Sequence, residues 1–107
     1  MIKRVKISKT PLDLCSTEEC LPLLRALSDD TRQKIIALFF TQKELCVTDI
    51  AEHFRLSRPT ISHHLNLMKR VKLLNARKDG KEVYYSFNRA HVTKLMGSVL
   101  ESLKRCC

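Results

Sequence analysis

The sequence predicts a mainly α fold with a single β-hairpin set between its fourth and fifth helices. Three observations carry that prediction. Two short helical patterns, at 48–55 and 58–72, are separated by only Leu56-Ser57. Directly after them the apolar period changes from helical spacing to alternation, around Asp79-Gly80. A long amphipathic stripe then runs from Val92 to Leu103.

Each element has its own local warrant. Ser16-Thr17-Glu18-Glu19 fits a capping box, and Leu21, Leu24 and Leu27 follow it at three-residue spacing. Pro22 is tolerated only in a first turn, so this first helix can start a few residues after the box. Ser28-Asp29-Asp30 starts a second helix, with Ile35, Ile36, Leu38, Phe39 and Phe40 as a broad apolar face and Thr41-Gln42-Lys43 at its end. Thr48-Asp49 caps a short third helix that turns Ile50, Ala51 and Phe54 inward. Ser57 caps the fourth, with Pro59 in its first turn and Ile61, Leu65 and Met68 as the inner stripe, closed by Leu73 and Leu74. Leu74–Lys78 and Glu82–Phe87 form the hairpin, with Val83, Tyr85 and Phe87 on one face. Asn88 caps the fifth helix, where Val92, Leu95, Met96, Val99, Leu100 and Leu103 repeat at i, i+3, i+4, i+7. Two helices, a tight turn and a following hairpin make a winged helix-turn-helix.

Length and composition are consistent with this. The 107 residues suit one domain, 1–107, with a basic N-terminal arm over about residues 1–15 that contains Pro11. A domain this small buries a modest share of its surface, so pairing is expected. The longest apolar run, Ile35 to Phe40, is far too short to span a membrane. No apolar stretch follows the charged start Met1–Lys6, so no signal peptide is expected and the cytoplasm is the predicted location. No paired carboxylates in a shared setting and no Gly-rich phosphate loop appear, which argues against an enzyme.

Charge points to a polyanion. The formal net charge is +9, and residues 61–90 alone carry seven Lys/Arg against two Asp/Glu. The fourth helix would present its N-terminal side chains to double-stranded DNA. Ser57 and Thr60 offer hydroxyls to phosphates, Arg58 suits a bidentate contact with guanine, and Ser62 and His63 can reach other base edges. Arg77, Lys78 and Lys81 on the wing are placed for backbone or minor-groove contacts. His63 and His64 do not suit one metal ion, because adjacent helical positions diverge by about 100°. His64 is expected to pack against the hairpin.

Three segments together resemble the ArsR/SmtB family of metal-responsive repressors: Glu44–Ala51, Ser57-Arg58-Pro59-Thr60-Ile61-Ser62-His63-His64-Leu65 and Gly80–Tyr85. The likeness covers roughly residues 20–105. It implies a homodimer joined through the first and last helices. It also implies an inverted-repeat operator that is bound without inducer and released when inducer binds.

Five cysteines then bear on the inducer: Cys15, Cys20, Cys46, Cys106 and Cys107. In a cytosolic chain they suggest metal or redox chemistry rather than a disulfide framework. Family sites differ. The third-helix Cys-Val-Cys site reads Cys46-Val47-Thr48 here and lacks its second thiol. The last-helix zinc site reads Arg89, His91, Ser102 and Arg105, and only His91 remains a ligand type. The vicinal pair Cys106-Cys107 is similar to the arsenic sites of some members. A third thiolate from Cys15 or Cys20 would complete a site for trivalent arsenic or antimony. Lys104 and Arg105 would favour thiolate formation, while the helix dipole would oppose it. Each cysteine also has a plainer reading, since free Cys behaves as a small hydrophobe. Cys46 in particular reads first as core and only second as a ligand.

The expectation is thus a repressor released by arsenite or antimonite, needing no cofactor to bind DNA. Three alternatives stand beside it. One is a redox or reactive-sulfur sensor using the same thiols. Another is a cadmium- or lead-type sensor using Cys15, Cys20 and Cys46. The third is a winged-helix module that binds protein.

Overall fold

A computed structural model describes residue 15 and residues 17–105. The expected arm lies outside these residues apart from residue 15, as do Ser16 of the expected capping box and the pair Cys106-Cys107. The elements run α1 (Cys20–Leu27), α2 (Asp30–Leu38), β1 (Leu45–Cys46), α3 (Val47–Ala51), α4 (Arg58–Arg70), β2 (Leu74–Asp79), β3 (Glu82–Phe87) and α5 (Arg89–Lys104). This is the mainly helical winged fold expected, with one small addition.

The addition is β1. Leu45 pairs with Tyr85 and Cys46 with Tyr84, which makes a three-stranded antiparallel sheet in the order β1-β3-β2. Both β1 residues are buried, and Tyr85 between the outer strands is 5% exposed. The core is built from one stripe of each helix: Leu23 from α1, Ile35 from α2, Ile50 from α3 and Ile61, Leu65 and Met68 from α4, all at 0% exposure. Burying a side chain of this size stabilises the fold by about 1.5–3 kcal/mol each before entropy is counted.

Several boundaries differ from the sequence expectation. Helix α1 begins at Cys20 after Glu19, whose side chain makes no cap bond; it pairs with Lys72 instead, at 2.7 Å. Pro22 therefore falls in the first turn, where its missing N–H costs nothing. Asp29 caps α2 by accepting from Arg32 N at 3.0 Å. That helix ends at Leu38, and Phe40 in the turn beyond it is 77% exposed, so it is not part of the inner face. The cap of α3 is Cys46 rather than Thr48: Cys46 N donates to Asp49 Oδ2 at 3.1 Å and Cys46 Sγ donates to the same oxygen at 3.2 Å. The helix then stops at Ala51, short of the expected residue 55.

Helix α4 ends in a Schellman motif. Lys72 N donates to the Lys69 carbonyl at 3.0 Å and Leu73 N to the Met68 carbonyl at 2.8 Å. Met68 and Leu73 are both fully buried, which is the apolar contact that accompanies this motif. The geometry needs a left-handed residue, and Lys72 supplies it at φ 64°.

In the hairpin, Asp79 pairs with Glu82, so the two-residue turn is Gly80-Lys81 rather than Asp79-Gly80. Gly80 has φ +62°, which suits the primed turn that opens on glycine. Asn88 caps α5, accepting from His91 N at 3.4 Å. The α5 stripe divides in two: Val92, Leu95 and Val99 are buried, while Leu100 and Leu103 are 52% and 57% exposed.

Candidate nucleic-acid interface and cysteine sites

The N-terminus of α4 is organised by short polar side chains. Ser57 Oγ accepts from Thr60 N at 3.3 Å and lies 2.9 Å from Thr60 Oγ1. This satisfies one of the free N–H groups at the helix start. Pro59, in the first turn, has no N–H to satisfy. Arg58, the first helical residue, donates from Nη1 to Thr48 Oγ1 on α3 at 2.8 Å. Ser57, Arg58, Thr60 and His63 are all exposed and Ser62 is half-buried. The buried residues of the same helix are Ile61, Leu65 and Met68. The expected polar face is therefore the one α4 leaves uncovered.

His64 is a correction. Its Nδ1 lies 3.4 Å from Arg32 Nη1 on α2, so it packs toward α2 rather than the hairpin. The His63 and His64 rings stand 6.1 Å apart at 60° to one another, and they do not share a ligand direction.

The wing divides its cations. Arg77 is committed within the fold. It forms a forked pair with Glu44, Nε to Oε2 at 3.0 Å and Nη2 to Oε1 at 2.9 Å. Asp79 takes a further contact at 3.5 Å, and the guanidinium sits 5.0 Å from the centre of the Tyr84 ring. The Arg77 hydrogen bonds hold the Glu44 carboxyl below its ordinary range, and the same pairing raises Arg77 further. Lys78 and Lys81 are exposed and, among the described residues, have no acidic partner.

The cysteines are arranged differently from the expectation. Cys15 and Cys20 are joined as a disulfide with Cα atoms 5.4 Å apart. Neither is therefore a free thiolate in this structure, where the sequence led to the expectation of thiols rather than a disulfide framework. Cys15 lies five residues before Cys20, the first residue of α1, and their Cα separation is within the span a disulfide accepts. Bonded sulfurs are poor ligands until reduced. Cys46 is free and buried, with its S–H on Asp49. Among the described residues no three His, Cys, Asp or Glu side chains are grouped to hold a metal ion, so one chain does not assemble Cys15, Cys20 and Cys46 into a site. Of the former zinc-site positions, His91 lies 3.6 Å from Glu19 and its Nε2 is buried without a hydrogen-bond partner.

Residues 29–76 match the family described as "Bacterial regulatory protein, arsR family". A "Cadmium resistance transcriptional regulatory protein CadC homolog" from Staphylococcus aureus is 40% identical over 93 residues, covering 85% of this chain and 77% of that protein. The chain belongs to the arsR family of bacterial regulatory proteins. An "Arsenical resistance operon repressor" from Staphylococcus aureus is 40% identical over 75 residues, 70% of this chain and 71% of that one. Among solved structures, an "ArsR-like Transcriptional Regulator from Rhodococcus sp. RHA1" superposes with a TM-score of 0.70 at 28% identity, covering 80% of this chain and 77% of the other. As an arsR-family regulator the chain is not an enzyme. Among the described residues no helix is long and apolar enough to cross a membrane.

The polar side chains of this face were expected from the sequence, but what holds them was not. Thr48, Arg32 and Glu44 carried no local signal, because each acts across a gap in the chain: 10 residues to Arg58, 32 to His64 and 33 to Arg77.

Proposed function

We propose that this arsR-family repressor binds an inverted-repeat duplex as a homodimer, in the cytoplasm, through the N-terminal half of α4 and the wing. One observation carries the reading: the uncovered face of α4 is the one bearing Ser57, Arg58, Thr60, Ser62 and His63, over a buried Ile61-Leu65-Met68 stripe. Lys78 and Lys81 add unpaired wing charge for phosphates, whereas Arg77 contributes chiefly by fixing the wing on Glu44. Pairing through α1 and α5 is supported by the exposed Leu21, Met96, Leu100 and Leu103 on those two helices.

Release follows from thiol chemistry. The relatives' names speak of cadmium and of arsenicals, both of them thiophilic. In the proposal, arsenite or antimonite takes Cys106 and Cys107 and a third thiolate from a reduced Cys15 or Cys20. A second reading is favoured by the Cys15–Cys20 bond itself. In it, two-electron reduction by a cellular thiol, and reoxidation by a peroxide, set the state of the α1 start.

The test is release of a fluorescent operator duplex from pre-reduced protein. Arsenite, antimonite, cadmium, zinc and hydrogen peroxide are titrated in turn. Release by arsenite or antimonite, lost in Cys106→Ser/Cys107→Ser, supports the metalloid reading. Release by peroxide alone, in metal-free buffer, replaces it with the redox one. Release by cadmium alone moves the site to Cys15, Cys20 and Cys46.

A further inference from the structure

We propose that Thr48 is a positioning residue for base reading, holding Arg58 in the pose from which it contacts a guanine. The inference deepens, and rests on, the reading of α4 as the recognition helix.

Arg58 stands at the first position of α4, exposed, on a flexible stem of several rotatable bonds. Left free, that side chain would lose much rotamer freedom on meeting DNA. It is not free. Its Nη1 donates to Thr48 Oγ1 at 2.8 Å. Thr48 lies at the second position of α3, and its surroundings are fixed. Cys46 and Asp49 close the cap on either side of it, Ile50 beside it is fully buried, and its carbonyl accepts from Glu52 N at 3.3 Å. The acceptor thus sits on a rigid element, and the guanidinium is tied at one corner.

The remaining donors matter for function. Of the guanidinium nitrogens only Nη1 has a partner among the described residues. Nε and Nη2 keep their N–H groups, and together they form one edge of the planar fork. That edge matches the O6 and N7 acceptors that guanine presents in the major groove. The Thr48 bond therefore removes motion without consuming the reading edge. Ser57 and Thr60 are engaged with one another at the helix cap and do not compete for Arg58.

The bland alternative is a surface hydrogen bond that merely steadies the turn between α3 and α4. The two differ in what they do to base discrimination. The probe is a duplex selected by the wild-type chain from a random pool, with each guanine replaced singly by 7-deazaguanine, which lacks the N7 acceptor. Thr48→Val keeps the shape and removes the hydroxyl; Thr48→Ser keeps the hydroxyl. Folding of each variant is checked by circular dichroism.

Wild type should show a penalty at one guanine per half-site. Thr48→Val should bind the unmodified duplex about threefold to tenfold more weakly and lose most of that penalty. Thr48→Ser should behave as wild type. In an Arg58→Ala background, Thr48→Val should change nothing further. Equal guanine penalties in wild type and Thr48→Val overturn the proposal, as does an effect of Thr48→Val that persists in Arg58→Ala. If Arg58→Ala leaves every penalty intact while selective binding survives, the positioning role falls but the recognition helix stands. If wild type selects no duplex, both fall.

Discussion

Arg32 of α2 reaches His64 of α4 with a guanidinium nitrogen 3.4 Å from the imidazole Nδ1. The same side chain donates from Nε to the Ala26 carbonyl at 2.9 Å, and its own backbone N–H is capped by Asp29. One residue thereby joins the end of α1, the start of α2 and the middle of α4. Because an arginine is always a donor, His64 Nδ1 must serve as the acceptor. Arg32→Met should lose both side-chain bonds and destabilise the fold by about 1–2 kcal/mol, read as a lower urea midpoint. His64→Phe, which removes only the longer of the two, should cost less.

Lys72 gives a prediction of opposite sign. It holds the left-handed position of the Schellman motif, where a side chain is strained. Its ion pair with Glu19 joins two groups roughly half exposed, and such pairs add little. Lys72→Gly should therefore stabilise the protein by roughly 0.5–1 kcal/mol, seen as a higher Tm. A lower Tm would show that the Glu19 pair outweighs the strain.

The wing cations should separate by salt dependence. Lys78→Ala and Lys81→Ala should each lower the slope of log K against log salt by about one phosphate contact. Arg77→Ala should change that slope less, because its guanidinium is engaged by Glu44, and should instead lower thermal stability. An equal slope change at all three positions would contradict this division.

Acid should loosen the caps. Asp29 is lowered from its ordinary value of 3.8 chiefly by the Arg32 backbone N–H, and Asp49 chiefly by the Cys46 backbone N–H and then its Sγ–H. Both carboxyls have folded values below unfolded ones. Their contribution is thus present above the unfolded value and lost as pH falls through the folded value. Wild type should lose Tm below about pH 4. Asp29→Asn/Asp49→Asn keeps an acceptor oxygen at both caps but cannot titrate, so its Tm should fall less over the same range.

Much of this was legible in the chain, for reasons that show why the rest was not. Ser57 and Pro59 mark the start of α4 by local chemistry, and Val92 to Leu103 mark α5 by periodicity. The pair Leu45-Cys46 becomes a strand only through its register with Tyr84 and Tyr85, some forty residues away, and nothing local announces that. The hairpin turn moved by one residue because Gly80 takes the first turn position, where positive φ is needed, and Asp79 stays in the ladder. The end of α4 carried no Gly or Asn to signal a left-handed residue; Met68 and Leu73 burying together explain why Lys72 accepts it. The exposed polar residues of α4 and the wing could be read from the local sequence. Their supports, Thr48 for Arg58 and Glu44 for Arg77, required the tertiary fold.

The most direct test of DNA reading by α4 is a pair of anisotropy titrations at one fixed salt concentration. Wild type and Arg58→Ala/His63→Ala are each titrated onto the selected duplex and onto a scrambled duplex of the same length. The account predicts that the ratio of the two affinities falls at least about tenfold in the variant, while binding to the scrambled duplex barely changes. An unchanged ratio would contradict it.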